Sequence, residues 1–156
     1  MAPMTAEEKW AQLQAEHPPL SKPKGLYRPV VIAGNLAYTS GHLPALPDGT
    51  VQTGRVGVDA DETGGRAAAR RATLALLASL RAELGNLNRV RRVIKVLGMV
   101  QCTPDFQGQP AVVNGASELL ADVFGADAGV GARCAFGAHS LPMGALVEIE
   151  AVFEIR

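Results

Sequence analysis

Near the end of the chain every second residue of the stretch 147–155 is apolar, Val147, Ile149, Ala151, Phe153 and Ile155, and three of the four residues between them are Glu148, Glu150 and Glu154. A period of two is that of a β-strand, so the apolar set takes one face and the glutamates the other. Carboxylates on a covered strand face are costly unless they are hydrated, paired or used. The other chemically capable residues group less tightly. The three histidines form neither an HExxH pattern nor an i, i+4 pair, so no metal site is expected, and His139 reads as a structural residue at a loop end. Cys102 and Cys134 lack CxxC spacing and are too few for a disulfide framework, so both read as thiols that pack like small hydrophobes. Arg66, Arg70, Arg71 and Arg81 read as the solvated flank of a helix, and Arg89, Arg91, Arg92 and Lys95 as a solvated strand entry.

The bulk properties narrow the partners. At 156 residues and 47% apolar content the chain suits one domain with one core. Fifteen basic residues balance fifteen acidic ones, whereas affinity won by neutralising phosphates normally shows as a positive excess. Nucleic acid is disfavoured as a partner. No apolar run approaches the roughly 20 residues of a bilayer span, and the N-terminus has no charged-then-apolar signal pattern, so no membrane association and a cytoplasmic location are expected.

The elements that would position these residues can be read along the chain. Thr5 with Glu8 three residues later forms a capping box for a short helix carrying Trp10 and Leu13 on one face, ending before Pro18 and Pro19. A Pro-, Lys- and Gly-rich arm follows. Strands are expected at 30–33 and 36–40 around a Gly34-Asn35 hairpin, with a third short one at 51–54. Ala68, Ala72, Leu76 and Leu80 predict a long helix that starts near Asp61 and stops at Gly85. Segment 90–102 is apolar on both alternating sets, as a strand covered on both faces should be. A second helix runs from Pro110 to Gly125, and strands at 133–138 and 145–155 complete the fold. The result is an α+β fold, a mixed sheet with two helices packed on one face. Too little chain remains to cover the other face, which is expected to meet another subunit.

With these elements in place, Ala132, Arg133, Cys134 and Ala135, then Leu141 and Pro142, then Val147 to Ala151 resemble the C-terminal signature of the Rid (YjgF) family. Gly25, Leu26 and Tyr27 resemble its GPY turn, Thr39, Ser40 and Gly41 its TSG motif, and Asp105, Phe106 and Asn114 a DF element and a helix asparagine. The resemblance covers roughly residues 25–155, leaving an N-terminal helix and arm over 1–24 and a Rid-like domain over 25–156. It implies a chorismate-mutase-like (YjgF-like) fold assembled as a homotrimer with a barrel-like centre, and clefts between subunits where site residues meet. It further implies hydrolysis of reactive 2-imino acids or enamines to 2-oxo acids and ammonia. By that resemblance Arg133 would clamp the substrate carboxylate through its planar fork and Glu148 would activate water. Ser40 and the Gly41 amide would hydrogen-bond the substrate, with Tyr27 and Asn114 lining the cleft. The partner would be a small imino or enamino acid or a related carboxylate. No metal or organic cofactor is implied, because the C=N carbon is already electrophilic. The alternatives are a non-catalytic trimer that binds a small carboxylate or regulates a partner, and, behind it, endoribonuclease or chorismate mutase-like activity. Departures from the pattern are Leu26 in the turn, Ala135 where some relatives carry cysteine, His139, and the N-terminal extension, which suggest a divergent subgroup.

Overall fold

Thr5 opens the chain's first helix as the capping box requires: its N–H donates to Glu8 Oε2 at 2.8 Å and the Glu8 N–H donates to Thr5 Oγ1 at 3.3 Å. In the computed structural model, which describes residues 1–156, this helix is α1 (Ala6–Gln12). It is too short to persist alone. It is held by burial of Trp10, by the His17 ring stacked on the Trp10 ring at 3.7 Å, and by ion pairs from Glu7 to Arg81 and from Glu16 to Arg70.

Two hairpin strands follow, β1 (Val30–Ala33) and β2 (Leu36–Thr39). Gly34 takes φ +61°, the left-handed conformation that the first loop position of a type II′ turn demands. The long helix is α2 (Glu62–Leu84); Asp61 caps it by accepting from the Gly64 N–H at 2.8 Å, and Gly85 closes it at φ +81°. Then come β3 (Val90–Gln101), α3 (Gln109–Phe124), β4 (Ala132–Ala138) and β5 (Val147–Ile155). The segment 51–54 differs from expectation. Val51 and Thr53 make only single bridges, to Ala45 and Ala145, because Gly49 and Gly54 turn the chain at φ +85° and +127° on either side and leave too short a run for a ladder.

The sheet order is β1-β2-β5-β3-β4, parallel between β3 and β4 and antiparallel elsewhere. Helix α3 is the crossover that a parallel pair needs. Helices α2 and α3 cover one face, where Val96, Val100, Val147, Ile149, Ala151 and Phe153 are buried. The two helices approach closely because small residues face each other: a Cβ on Gly115 would overlap the Arg66 carbonyl oxygen and lie 2.9 Å from its carbonyl carbon. Gly115→Ala is therefore expected to lower stability by ~1–3 kcal/mol despite alanine's better helix propensity, because a backbone carbonyl cannot swing aside. Urea titration measures this, and an unchanged midpoint would show that the helices can separate freely.

The opposite face carries Val31, Tyr38, Phe136, Leu97, Met99 and Val152, interleaved with Glu148, Glu150 and Glu154, as the register requires. Nothing in the chain covers it. Val31, Tyr38 and Phe136 remain 49%, 44% and 42% exposed, an apolar surface of the kind that marks an interaction site.

Candidate active site

Glu148 lies on the uncovered face of β5, opposite Met99 of β3. It is half-buried, has no hydrogen-bond or ion-pair partner in the chain, and burial, reinforced by the charge of Glu150, raises its pKa from 4.5. Such a carboxylate is a better base than a solvated one. Its side chain packs against Gly41: a Cβ there would lie 2.8 Å from Glu148 Cδ and 3.0 Å from Cγ, so any larger residue would displace the carboxylate. The two segments are locked together by paired backbone bonds, His42 N–H to Ile149 O at 2.8 Å and Ile149 N–H to His42 O at 3.0 Å. The Gly41 N–H itself donates to no acceptor within the chain.

Ser40 follows directly on β2. Its N–H donates to Pro29 O at 2.8 Å and its hydroxyl to Arg28 O at 2.6 Å. The hydroxyl proton is thus committed, and Oγ is left as an acceptor. These bonds hold the arm beside the site, where Tyr27, Ser40 and Gly41 line one cavity of about 320 Å³.

Arg133 sits elsewhere. In β4 it pairs with Val96, which pairs with Ala151, so it points to the helix face, and its Nη1 donates to Asn114 Oδ1 at 2.6 Å and to Ser117 Oγ at 3.2 Å on α3. Within one chain the sheet itself therefore separates the guanidinium from Glu148, and no salt bridge joins them. The expected residues form two groups: Tyr27, Ser40, Gly41 and Glu148 at one place, Asn114 and Arg133 at another.

Residues 8–155 match the family model for YjgF/chorismate-mutase-like proteins, whose description also names endoribonuclease. This chain belongs to the YjgF/chorismate-mutase-like family. A Trypanosoma cruzi relative, Protein TCP17, is 41% identical over 139 residues, 89% of this chain and 87% of that protein. The Agrobacterium tumefaciens protein Atu1372, of unknown function, has 41% identity and a TM-score of 0.87 over 97% of this chain and 92% of its own. RidA from Psychrobacter sp. has 25% identity and a TM-score of 0.60 over 90% and 95%. The α+β fold is thus that of the YjgF family.

Two neighbours of these residues escaped the reading of the YjgF-type motifs. Ser117 follows Asn114 by three residues on a helix, a spacing that puts both on one face and could have flagged it. His42, directly after Ser40-Gly41, is buried with Nδ1 2.8 Å from Ser40 O and Nε2 2.8 Å from Ser79 Oγ. Since a carbonyl only accepts, Nδ1 carries the proton and Nε2 accepts from the serine; burial lowers the ring's pKa and favours this neutral form. His42 thereby ties the Ser40-Gly41 turn to α2. Only adjacency hinted at it, because the bonding partner Ser79 is remote in sequence.

Proposed function

We propose that this protein hydrolyses 2-imino acids or their enamine tautomers to 2-oxo acids and ammonia, at a cleft built from two copies of the chain. Tyr27, Ser40, Gly41 and Glu148 come from one copy, and Asn114 and Arg133 from the next. The observation that carries this reading is the unpaired, half-buried Glu148 pressed against Gly41, whose amide is unengaged. Arg133 holds the substrate carboxylate by a two-pronged, charge-assisted contact, and Ser40 Oγ accepts from the imine N–H. Glu148 takes a proton from water as the oxygen adds to the C=N carbon and passes it to the nitrogen, which leaves a carbinolamine and an ionised Glu148. Glu148 then carries the carbinolamine hydroxyl proton to the nitrogen, the C–N bond breaks, and ammonia leaves as the C=O forms. Orientation and water activation supply the catalysis.

The uncovered apolar face supports assembly. Three copies packed through it, with their sheets forming a barrel-like centre, would bury Tyr38 and Phe136 and bring the separated residue groups together. A sizing column should place the protein near three times its 16.3 kDa chain mass. Endoribonuclease activity, named in the family description, draws no support from the balanced charge.

The deciding experiment couples an amino-acid oxidase to the protein and follows loss of imine. Wild type should accelerate hydrolysis, and Arg133→Ala should lose at least about a hundredfold in kcat/KM, as loss of a charge-assisted bidentate contact implies. Acceleration that survives Arg133→Ala would refute the site assignment. No acceleration across aliphatic and aromatic imines would instead point to a trimer that only binds a small carboxylate.

A further inference from the structure

The cavity beside Ser40 and Gly41 has a second wall that the proposed chemistry leaves unused. That wall is the N-terminal arm, which contributes Lys22 and Lys24, and no aspartate or glutamate lines the cavity anywhere. Neither lysine has a carboxylate partner in the chain, whose three ion pairs are all made by arginines. Lys24 Nζ instead donates to the Met143 thioether at 3.4 Å, a weak acceptor. Met143 also lines the cavity, and it is the chain's one non-glycine residue at positive φ, 59°, a conformation that persists only where its surroundings hold it. Pro23, Leu43 and Val51 also line the cavity, apolar surface that suits methylene groups.

The lysines ride on a segment anchored at both ends. Upstream, Trp10 is buried and the Glu16–Arg70 pair ties the end of the first helical segment to α2. Downstream, Ser40 bonds the carbonyls of Arg28 and Pro29. The arm is therefore placed before any ligand arrives, and a site of that kind loses less affinity to ordering on binding. At about 320 Å³ the space is at the small end of ligand sites and suits a short side chain.

We propose that this cavity is a second anion subsite, in which Lys22 and Lys24 receive the carboxylate or phosphate at the far end of the substrate side chain. The preferred substrates are then imines of amino acids with anionic side chains. This deepens the imine-hydrolysis reading and rests on it for the chemistry, but its binding can be measured separately.

Calorimetry with the full-length protein should compare three stable product-type acids, α-ketoglutarate, phosphohydroxypyruvate and α-ketobutyrate, on wild type and on the double variant Lys22→Met, Lys24→Met. Wild type should bind at least one of the two acids with an anionic side chain about tenfold more tightly than α-ketobutyrate, the scale of one charge-assisted contact. The double variant should lose that preference, and added salt should erode it in wild type. Whichever of the two gains more identifies the anionic group as carboxylate or phosphate. In the imine assay the same variant should lower the ratio of kcat/KM for dicarboxylic over monocarboxylic imines about tenfold, mainly through KM. Equal binding of all three acids by wild type, or a preference for the anionic side chain that survives the double substitution, would overturn the subsite. If the lysine-dependent binding is present but no imine is hydrolysed, the subsite stands and the catalytic reading falls.

Discussion

Glu148→Gln should cost about a hundredfold to ten-thousandfold in imine hydrolysis, the usual range for losing a positioned general base, while the protein melts no lower than wild type. The two effects have one cause. Burial and the neighbouring Glu150 raise the pKa of Glu148, so the folded protein holds the carboxyl proton more tightly than the unfolded chain does. Ionising this residue therefore costs stability as pH rises from the ordinary carboxylate value through the raised folded one, and the full cost is present above the folded value. Below the unfolded value the cost is absent. Gln keeps the shape and removes the charge, so the difference in Tm between Glu148→Gln and wild type should vanish at low pH and favour the variant at neutral pH. Calorimetric scans at several pH values check this. A variant that melts well below wild type at neutral pH would mean that Glu148 has a stabilising cationic partner in the assembled protein. For wild type, the acidic limb of the rate profile should follow Glu148, the rate falling as pH drops through its raised pKa.

Gly41→Ala is the second large effect, expected to reduce hydrolysis about a hundredfold with a modest loss of stability. The new Cβ would occupy the position of the Glu148 carboxylate, 2.8 Å from Cδ and 3.0 Å from Cγ. The carboxylate must move by roughly an ångström, and a shift of that size at a reacting group costs on the order of a hundredfold in rate. Because the displaced atoms end a flexible side chain, the fold survives. The effect should fall mainly on kcat, and urea titration should show a smaller loss than Gly115→Ala, where the obstructing atom belongs to the backbone. Comparable damage to kcat from Gly41→Ala in a protein already carrying Glu148→Gln would show that the glycine acts through something other than Glu148; the proposed coupling requires most of the Gly41→Ala effect to vanish there.

Much of the fold was legible from local chemistry. The Thr5 and Glu8 capping box, the Asp61 cap and Gly85 stop of α2, and the Gly34-Asn35 hairpin each depend on residues within a few positions of one another, so the information is contained in short stretches. The segment 51–54 departs from the strand expectation for the same reason. Its composition suits a strand, but the flanking Gly49 and Gly54 turn it away from any ladder, and strand pairing is decided by partners that composition does not reveal. The arginines Arg70 and Arg81 read only as a solvated helix flank. They also anchor the N-terminal helix through Glu16 and Glu7, a long-range role invisible from helical spacing.

The sequence by itself determined the period-two alternation that puts Glu148 off the core face, the helix boundaries and the membership in a family, because each is written in residues close along the chain or in short motifs. Only the tertiary structure decided what these residues meet. It pressed Glu148 against Gly41, engaged the Ser40 hydroxyl with Arg28, placed His42 on Ser79, and turned Arg133 to Asn114 on the opposite side of the sheet. Those relations follow from strand order and register. Register depends on pairing between segments more than a hundred residues apart, such as Tyr38 with Val152, and no local pattern carries it.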